Sequence, residues 1–228
     1  MDKKSMFGSV PSRQPLFLSC FFLFWIIVFS LGSPKAALSF EVVRLNPVET
    51  FLKDRLSIQF VSGVLFATKF PNDHVHTLDY WQNNLRFGLT LNEPGSGGFL
   101  LRGNFEAFFE GTYSLIYEGS GNYLAGGTAL IRYNFVQPAA HFIPYVQVGV
   151  GIVYTDAYKD TSQDAIGQAV EFTPQASLGF HYLIAPKWSQ DVEAIFHHIS
   201  NANLGSRNDG INAFGGFIGV TYFFKSRR

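Results

Sequence analysis

From residue 56 onward the chain repeats one pattern. Segments of nine to fourteen residues alternate large apolar side chains with small or polar ones. A period of two belongs to a β-strand, whose successive side chains point to opposite faces. Eight such segments follow one another, at 56–67, 83–91, 98–109, 123–135, 142–154, 171–183, 189–200 and 211–224. No uninterrupted apolar run after residue 40 is long enough for a membrane-spanning helix. The strands are long for a soluble sandwich and suit a tilted membrane crossing of about 9–11 residues. Eight is also an allowed even count for a closed barrel, which leaves no unpaired sheet edge in lipid. The expected fold is therefore all-β, an eight-stranded antiparallel transmembrane β-barrel.

The alternation assigns faces. In the second segment Leu85, Phe87, Leu89 and Leu91 oppose Asn84, Arg86 and Thr90. In the third, Phe99, Leu101, Phe105 and Phe109 oppose Arg102, Asn104, Glu106 and Glu110. In the sixth, Phe172, Ala176, Leu178, Phe180 and Tyr182 oppose Glu171, Thr173, Gln175, Ser177 and His181. With the bulky faces turned to lipid, Arg86, Arg102, Glu106, Asp191, Glu193 and His197 fill a narrow interior and pair there, as buried charges require. A barrel of this size is filled by its own side chains, which excludes a pore. Short connectors (184–188) and long polar ones (155–170, 201–210) give it two unlike ends, and the last strand ends Val220-Thr221-Tyr222-Phe223-Phe224. The stretch 42–53 ahead of the barrel reads as a short helix or plug.

The first 39 residues read as a signal peptide, leaving 40–228 as the barrel domain. Lys3, Lys4 and Arg13 precede an apolar run at 16–32, followed by the small-residue site Ala37-Leu38-Ser39. A retained membrane anchor is the competing reading of that run. Cys20, the single cysteine, lies inside it, so the mature domain cannot rely on disulfides. Cleavage leaves 13 Lys and Arg against 16 Asp and Glu, about −3, with no basic block to attract nucleic acid. Export plus a barrel implies the outer membrane.

One strand ends in chemistry. In Phe196-His197-His198-Ile199-Ser200-Asn201-Ala202, the face Val192, Ala194, Phe196 continues into His198 and Ser200. A histidine beside a serine hydroxyl is the minimum apparatus for a nucleophile at neutral pH. On the greasy face, it would be aimed into a membrane. His197 points the other way and reads as an interior pairing residue, as does His181. His74 and His76 lie in a polar loop with Asp73, more simply a solvated turn than a metal site.

The run His198-Ile199-Ser200-Asn201-Ala202, then Asn208-Asp209-Gly210-Ile211-Asn212, then a closing strand rich in glycine and aromatics, resembles the lipid A 3-O-deacylase (PagL) family. The resemblance implies an outer-membrane esterase that removes the 3-linked hydroxyacyl chain from lipid A in lipopolysaccharide, with no cofactor or metal. By position it makes Ser200 the nucleophile and His198 its general base. Asn201 becomes an oxyanion donor through its side chain, the backbone N–H of Asn203 a second donor, and Asn208 a supporting residue. The family's acid falls on Asn212, an amide, which can orient an imidazole but cannot offset imidazolium charge. Three readings follow: Asn212 replaces the acid in a slower enzyme, Asp209 supplies the carboxylate, or activity is lost. A homodimer is compatible with all three. A non-catalytic structural or adhesive barrel, and an acyltransferase barrel, are the competing function classes.

Overall fold

The computed structural model describes residues 45–69, 76–95, 98 and 101–225; the expected signal peptide lies outside them. A short helix, α1 (Pro47–Thr50), precedes the strands β1 (Leu56–Ala67), β2 (Leu78–Thr90), β3 (Asn104–Gly119), β4 (Tyr123–Asn134), β5 (Phe142–Thr155), β6 (Val170–Phe172), β7 (Gln175–Ala185), β8 (Trp188–Ile199) and β9 (Ile211–Phe223). Every pairing is antiparallel, each strand lies beside its chain neighbour, and β1 pairs with β9 to close the ring.

The nine strands make eight staves, because β6 and β7 are one. Both hold the same register on β5, with Phe172 opposite Ile152 and Gln175 opposite Gly149. Between them Thr173 exchanges two hydrogen bonds with Gly151 (2.8 and 3.2 Å). The ladder lapses only at Pro174, which has no N–H to give. The expected closed eight-stranded barrel is therefore the observed fold.

The interior has three layers. In the middle, Arg86 meets Glu110 at 2.6 Å and both oxygens of Glu193 at 2.7 and 3.0 Å. Arg132 donates to Gln147 and Gln59 (both 2.9 Å) and lies 4.0 Å over the Tyr145 ring. Asp191 meets His181 at 2.6 Å and Thr221 at 2.5 Å. Glu106, Glu193 and His197 all point inward, as alternation predicts. The two end layers are apolar instead: Val61, Leu65, Leu78, Leu124 and Phe217 at one end, and Phe51, Val136, Ile143, Leu183 and Phe223 at the other. Phe51 reaches the second layer from the segment carrying α1, packing edge-on to Phe223 at 5.1 Å. The helix starts where Asn46 Oδ1 accepts the Val48 N–H (3.2 Å) and Pro47 takes the first turn. The stretch 42–53 thus contains both a helix and a plug.

Outside, Phe87, Phe105 and Val220 are exposed; Phe180 and Phe196 are also on the outer face, each against another outward aromatic, Phe142 and Phe214. The alternation misplaces the bounds of two strands. The second strand begins at Leu78, five residues before 83, because its first inward residues, Leu78 and Tyr80, belong to an apolar end layer and the polar-inside rule fails there. The third runs from Asn104 to Gly119, not from 98 to 109. Gly111, on the outer face with nothing closer than 3.9 Å to a built β-carbon, breaks its run of bulky residues. Arg102 is consequently not an interior residue. It lies half-buried in the connection ahead of β3, just after a turn closed by Leu101 N–H onto Gly98 O (2.8 Å).

The buried ion pairs carry a stability prediction. Arg86→Met strands Glu110 without a cation and leaves Glu193 only Arg132 at 3.9 Å, which should cost about 3–5 kcal/mol. Urea unfolding of the micelle-folded barrel measures it; a loss below about 1 kcal/mol would contradict the pairing scheme.

Candidate active site

His198 and Asn212 lie directly opposite each other on β8 and β9, at the barrel end away from the β7–β8 turn at 186–187. Because both point outward, their side chains meet: His198 Nδ1 is 2.6 Å from Asn212 Oδ1. An amide oxygen only accepts, so Nδ1 carries the hydrogen and Nε2 is left as a lone-pair acceptor. The other flank of His198 is Pro174, whose carbonyl accepts the His198 backbone N–H at 3.0 Å. Two residues on, Ser200 exchanges both backbone hydrogen bonds with Phe172 (2.7 and 3.1 Å), which fixes it on the same outward face. All three side chains are half-buried, above an outward aromatic pair, Phe196 and Phe214, 4.9 Å apart. Among the described residues the Ser200 hydroxyl makes no hydrogen bond. Hydrogen bonds between catalytic groups are often long before substrate binds.

The connection after Ser200 is held by asparagines. The Asn201 backbone N–H donates to Asn208 Oδ1 (2.6 Å), Asn201 Nδ2 donates to Arg207 O (2.8 Å), and Asn208 Nδ2 donates to Asn203 Oδ1 (2.9 Å). Within this loop Ala202 and Asn203 adopt φ values of 54° and 62°. Left-handed backbone costs a residue with a β-carbon about 1–2 kcal/mol, and the asparagine network sustains it. The Asn201 side chain is fully buried and spends its N–H on Arg207. One of the two hydrogens on Asn201 Nδ2 is thereby committed within the loop. The Asn203 backbone N–H has no protein acceptor among the described residues.

A second connection, 156–169, braces the first. The Arg207 guanidinium donates to three carbonyls on it, Asp160 and Gln163 from Nη1 and Tyr158 from Nη2, each at 2.8 Å. Asp209 N–H and Gly210 N–H add bonds to Asp164 O (3.0 Å) and Ala165 O (3.1 Å). Hydrogen bonds from Ser120 and Ser162 hold the Asp160 carboxyl down at about 2, so that carboxylate stays ionised in mild acid. The Asp209 carboxylate pairs with His76 Nε2 at 3.0 Å, while Asn212 occupies His198 Nδ1. Asp209 and His198 are not brought together.

Sequence reading missed two parts of this site. Pro174 flanks the histidine, and Gly210 forms the wall beside the pair. A β-carbon built on Gly210 would stand 3.1 Å from His198 Cε1 and 3.6 Å from Ser200 Cβ, and its φ of 73° favours glycine. The available signal was the Asp209-Gly210 step just before a strand.

Asn208→Ala removes the acceptor of the Asn201 amide, worth about 1 kcal/mol net. That amide should exchange with solvent roughly five-fold faster by hydrogen-exchange NMR or mass spectrometry; unchanged protection would show that Asn208 does not hold the loop.

The sequence matches the profile of the family described as lipid A 3-O-deacylase (PagL) over residues 79–221, well over half of the chain. Among curated proteins none matches it. Of solved structures, the chain resembles the outer-membrane enzyme PagL at 19% identity and a TM-score of 0.53, covering 70% of this chain and 97% of that one. It also resembles Neisserial surface protein A (NspA) at 13% identity and a TM-score of 0.54, covering 74% and 97%. At these identities the structural matches show a shared barrel fold, and the family profile carries the assignment. The chain belongs to the lipid A 3-O-deacylase (PagL) family, carboxylic ester hydrolases built on an outer-membrane β-barrel.

Proposed function

We propose that this protein hydrolyses the ester holding the 3-linked hydroxyacyl chain of lipid A, with Ser200 as nucleophile, His198 as general base and Asn212 as the residue that orients it. The observation that carries this reading is the 2.6 Å contact between His198 Nδ1 and Asn212 Oδ1, on the lipid-facing surface beside Ser200. It leaves Nε2 as the ring's only proton acceptor. Ser200 Oγ gives its proton to Nε2 and attacks the ester carbonyl. The tetrahedral oxyanion takes the Asn203 N–H. The acyl–oxygen bond to the sugar then breaks, and the sugar oxygen takes the proton from His198. Water, deprotonated by the same Nε2, releases the hydroxy acid from Ser200. One barrel holds every group this sequence requires, so monomer and homodimer serve it equally.

An amide cannot neutralise the imidazolium formed in each step, so Asn212 makes a slower enzyme than a carboxylate would. The pairing of Asp209 with His76 supports Asn212 over Asp209 in this role.

The test is release of hydroxy fatty acid from lipid A in detergent by the purified, folded barrel, quantified by mass spectrometry. Ser200→Ala and His198→Ala should each lower the rate by at least about 10³-fold, because members of such a unit fail together, while heat-modifiable gel mobility stays unchanged. Near-wild-type release by Ser200→Ala would remove the nucleophile assignment. Transfer of the chain to another lipid without free acid would make the protein an acyltransferase, and no reaction by the wild type would make it a non-catalytic barrel.

The third member has its own signature. Asn212→Ala should lower the rate by about 10–100-fold, less than loss of Ser200, while Asn212→Asp or Asn212→Glu should match or exceed the wild type. Asp209→Asn should be mild. Strong damage by Asp209→Asn with a silent Asn212→Ala would make Asp209 the acid.

A further inference from the structure

At the opposite end of the barrel from Ser200, a cavity of about 240 Å³ opens between α1 and the turn joining β7 to β8. Three cations line it: Arg55, Lys187 and Lys225. Glu49 is the sole acid among its lining residues, and it is already engaged by Asn46 Nδ2 at 2.9 Å. Arg55 is the unusual member, with only 8% of its surface exposed. Its Nη1 donates to Glu49 O at 2.6 Å and its Nη2 to Phe223 O at 3.5 Å, both neutral carbonyls. Its Nε has no hydrogen-bond partner, and among the described residues no carboxylate stands within ion-pair distance of the group. A buried guanidinium without a counter-ion is costly. By contrast Arg86, in the interior of the same barrel, is fully matched by Glu110 and Glu193.

The lip of this cavity lies at an aromatic belt. Lys187 directly precedes Trp188, and Lys225 directly follows Phe224. Trp188, Tyr222 and Phe224 form a chain of outward rings with centroids 4.8 and 5.0 Å apart. Outward tryptophan and tyrosine in such barrels mark the level of the lipid headgroups. The missing counter-charge of Arg55 thus faces a layer rich in phosphates, and the guanidinium and two ammonium groups are the donors that a phosphate selects.

We propose that this cavity binds the phosphate of an anionic phospholipid headgroup, from the leaflet on the side of the chain termini. The site is separate from Ser200 and does not depend on the esterase reading. Bound lipid would supply the counter-ion for Arg55 and bind the helix–strand corner that carries Phe51 to the membrane surface.

The test is native mass spectrometry of the full-length barrel released from nanodiscs containing equal amounts of phosphatidylglycerol and phosphatidylcholine. The wild type should retain phosphatidylglycerol at least five-fold over phosphatidylcholine. Arg55→Gln should abolish that preference. Lys187→Gln/Lys225→Gln, which changes only surface side chains, should lower it without affecting folding. A preference that survives both variants, or no preference in the wild type, overturns the proposal. A parallel arm measures the melting temperature in inorganic phosphate without lipid. Stabilisation of the wild type but not of the variants, with no lipid retained, would assign the cavity to a free anion and overturn the lipid assignment.

Discussion

Arg86 donates to Glu110 and to both oxygens of Glu193, and all three side chains are fully buried inside the barrel. An eight-stranded barrel with lipid outside has to place its charges within, where each must be matched. Gln59 links this cluster to Arg132 and, through its amide nitrogen, to Asp191, so the polar layer is continuous across the lumen. With that layer satisfied and both ends closed by apolar side chains, the barrel is a solid scaffold. The outward surface is then free to carry function.

The site follows from strand geometry on that surface. A period of two puts His198 and Ser200 on one face, and the β8–β9 register sets Asn212 opposite His198. Neither placement depends on a loop. What loops contribute is closure: Arg207 and Gly210 hold the connection 156–169 over the end of the barrel, and the asparagine network keeps Ala202 and Asn203 in their left-handed turn. The proposed pair, on rigid strands and bordered by a braced loop and by outward aromatics, faces the side from which a membrane lipid would approach.

Much of this was legible in the sequence because alternation is a direct readout of a membrane barrel's two faces. It succeeded where the interior is polar, as for Glu106, Glu193 and His197. It failed where the interior turns apolar. Leu78 and Tyr80 look no different from lipid-facing residues, so the start of β2 was missed, and Arg102 was drawn into the barrel by a strand begun too early. Of the site, the His198–Ser200–Asn212 grouping could be read from spacing and resemblance. The commitment of Asn201 to Arg207 and the pairing of Asp209 with His76 could not, since both are set by contacts across loops. The Arg55 cavity was likewise invisible, because it joins residues from three distant parts of the chain.

The proposed function stands or falls on Ser200 being a nucleophile, activated by His198, on the barrel's outer surface. The most direct measurement is intact and peptide mass spectrometry after treating the folded protein with a lipophilic fluorophosphonate, which bonds only to an activated serine. A single adduct should map to Ser200 and be lost in His198→Ala. Deacylation of lipid A that continues after full labelling, or an adduct at a different serine, would contradict it.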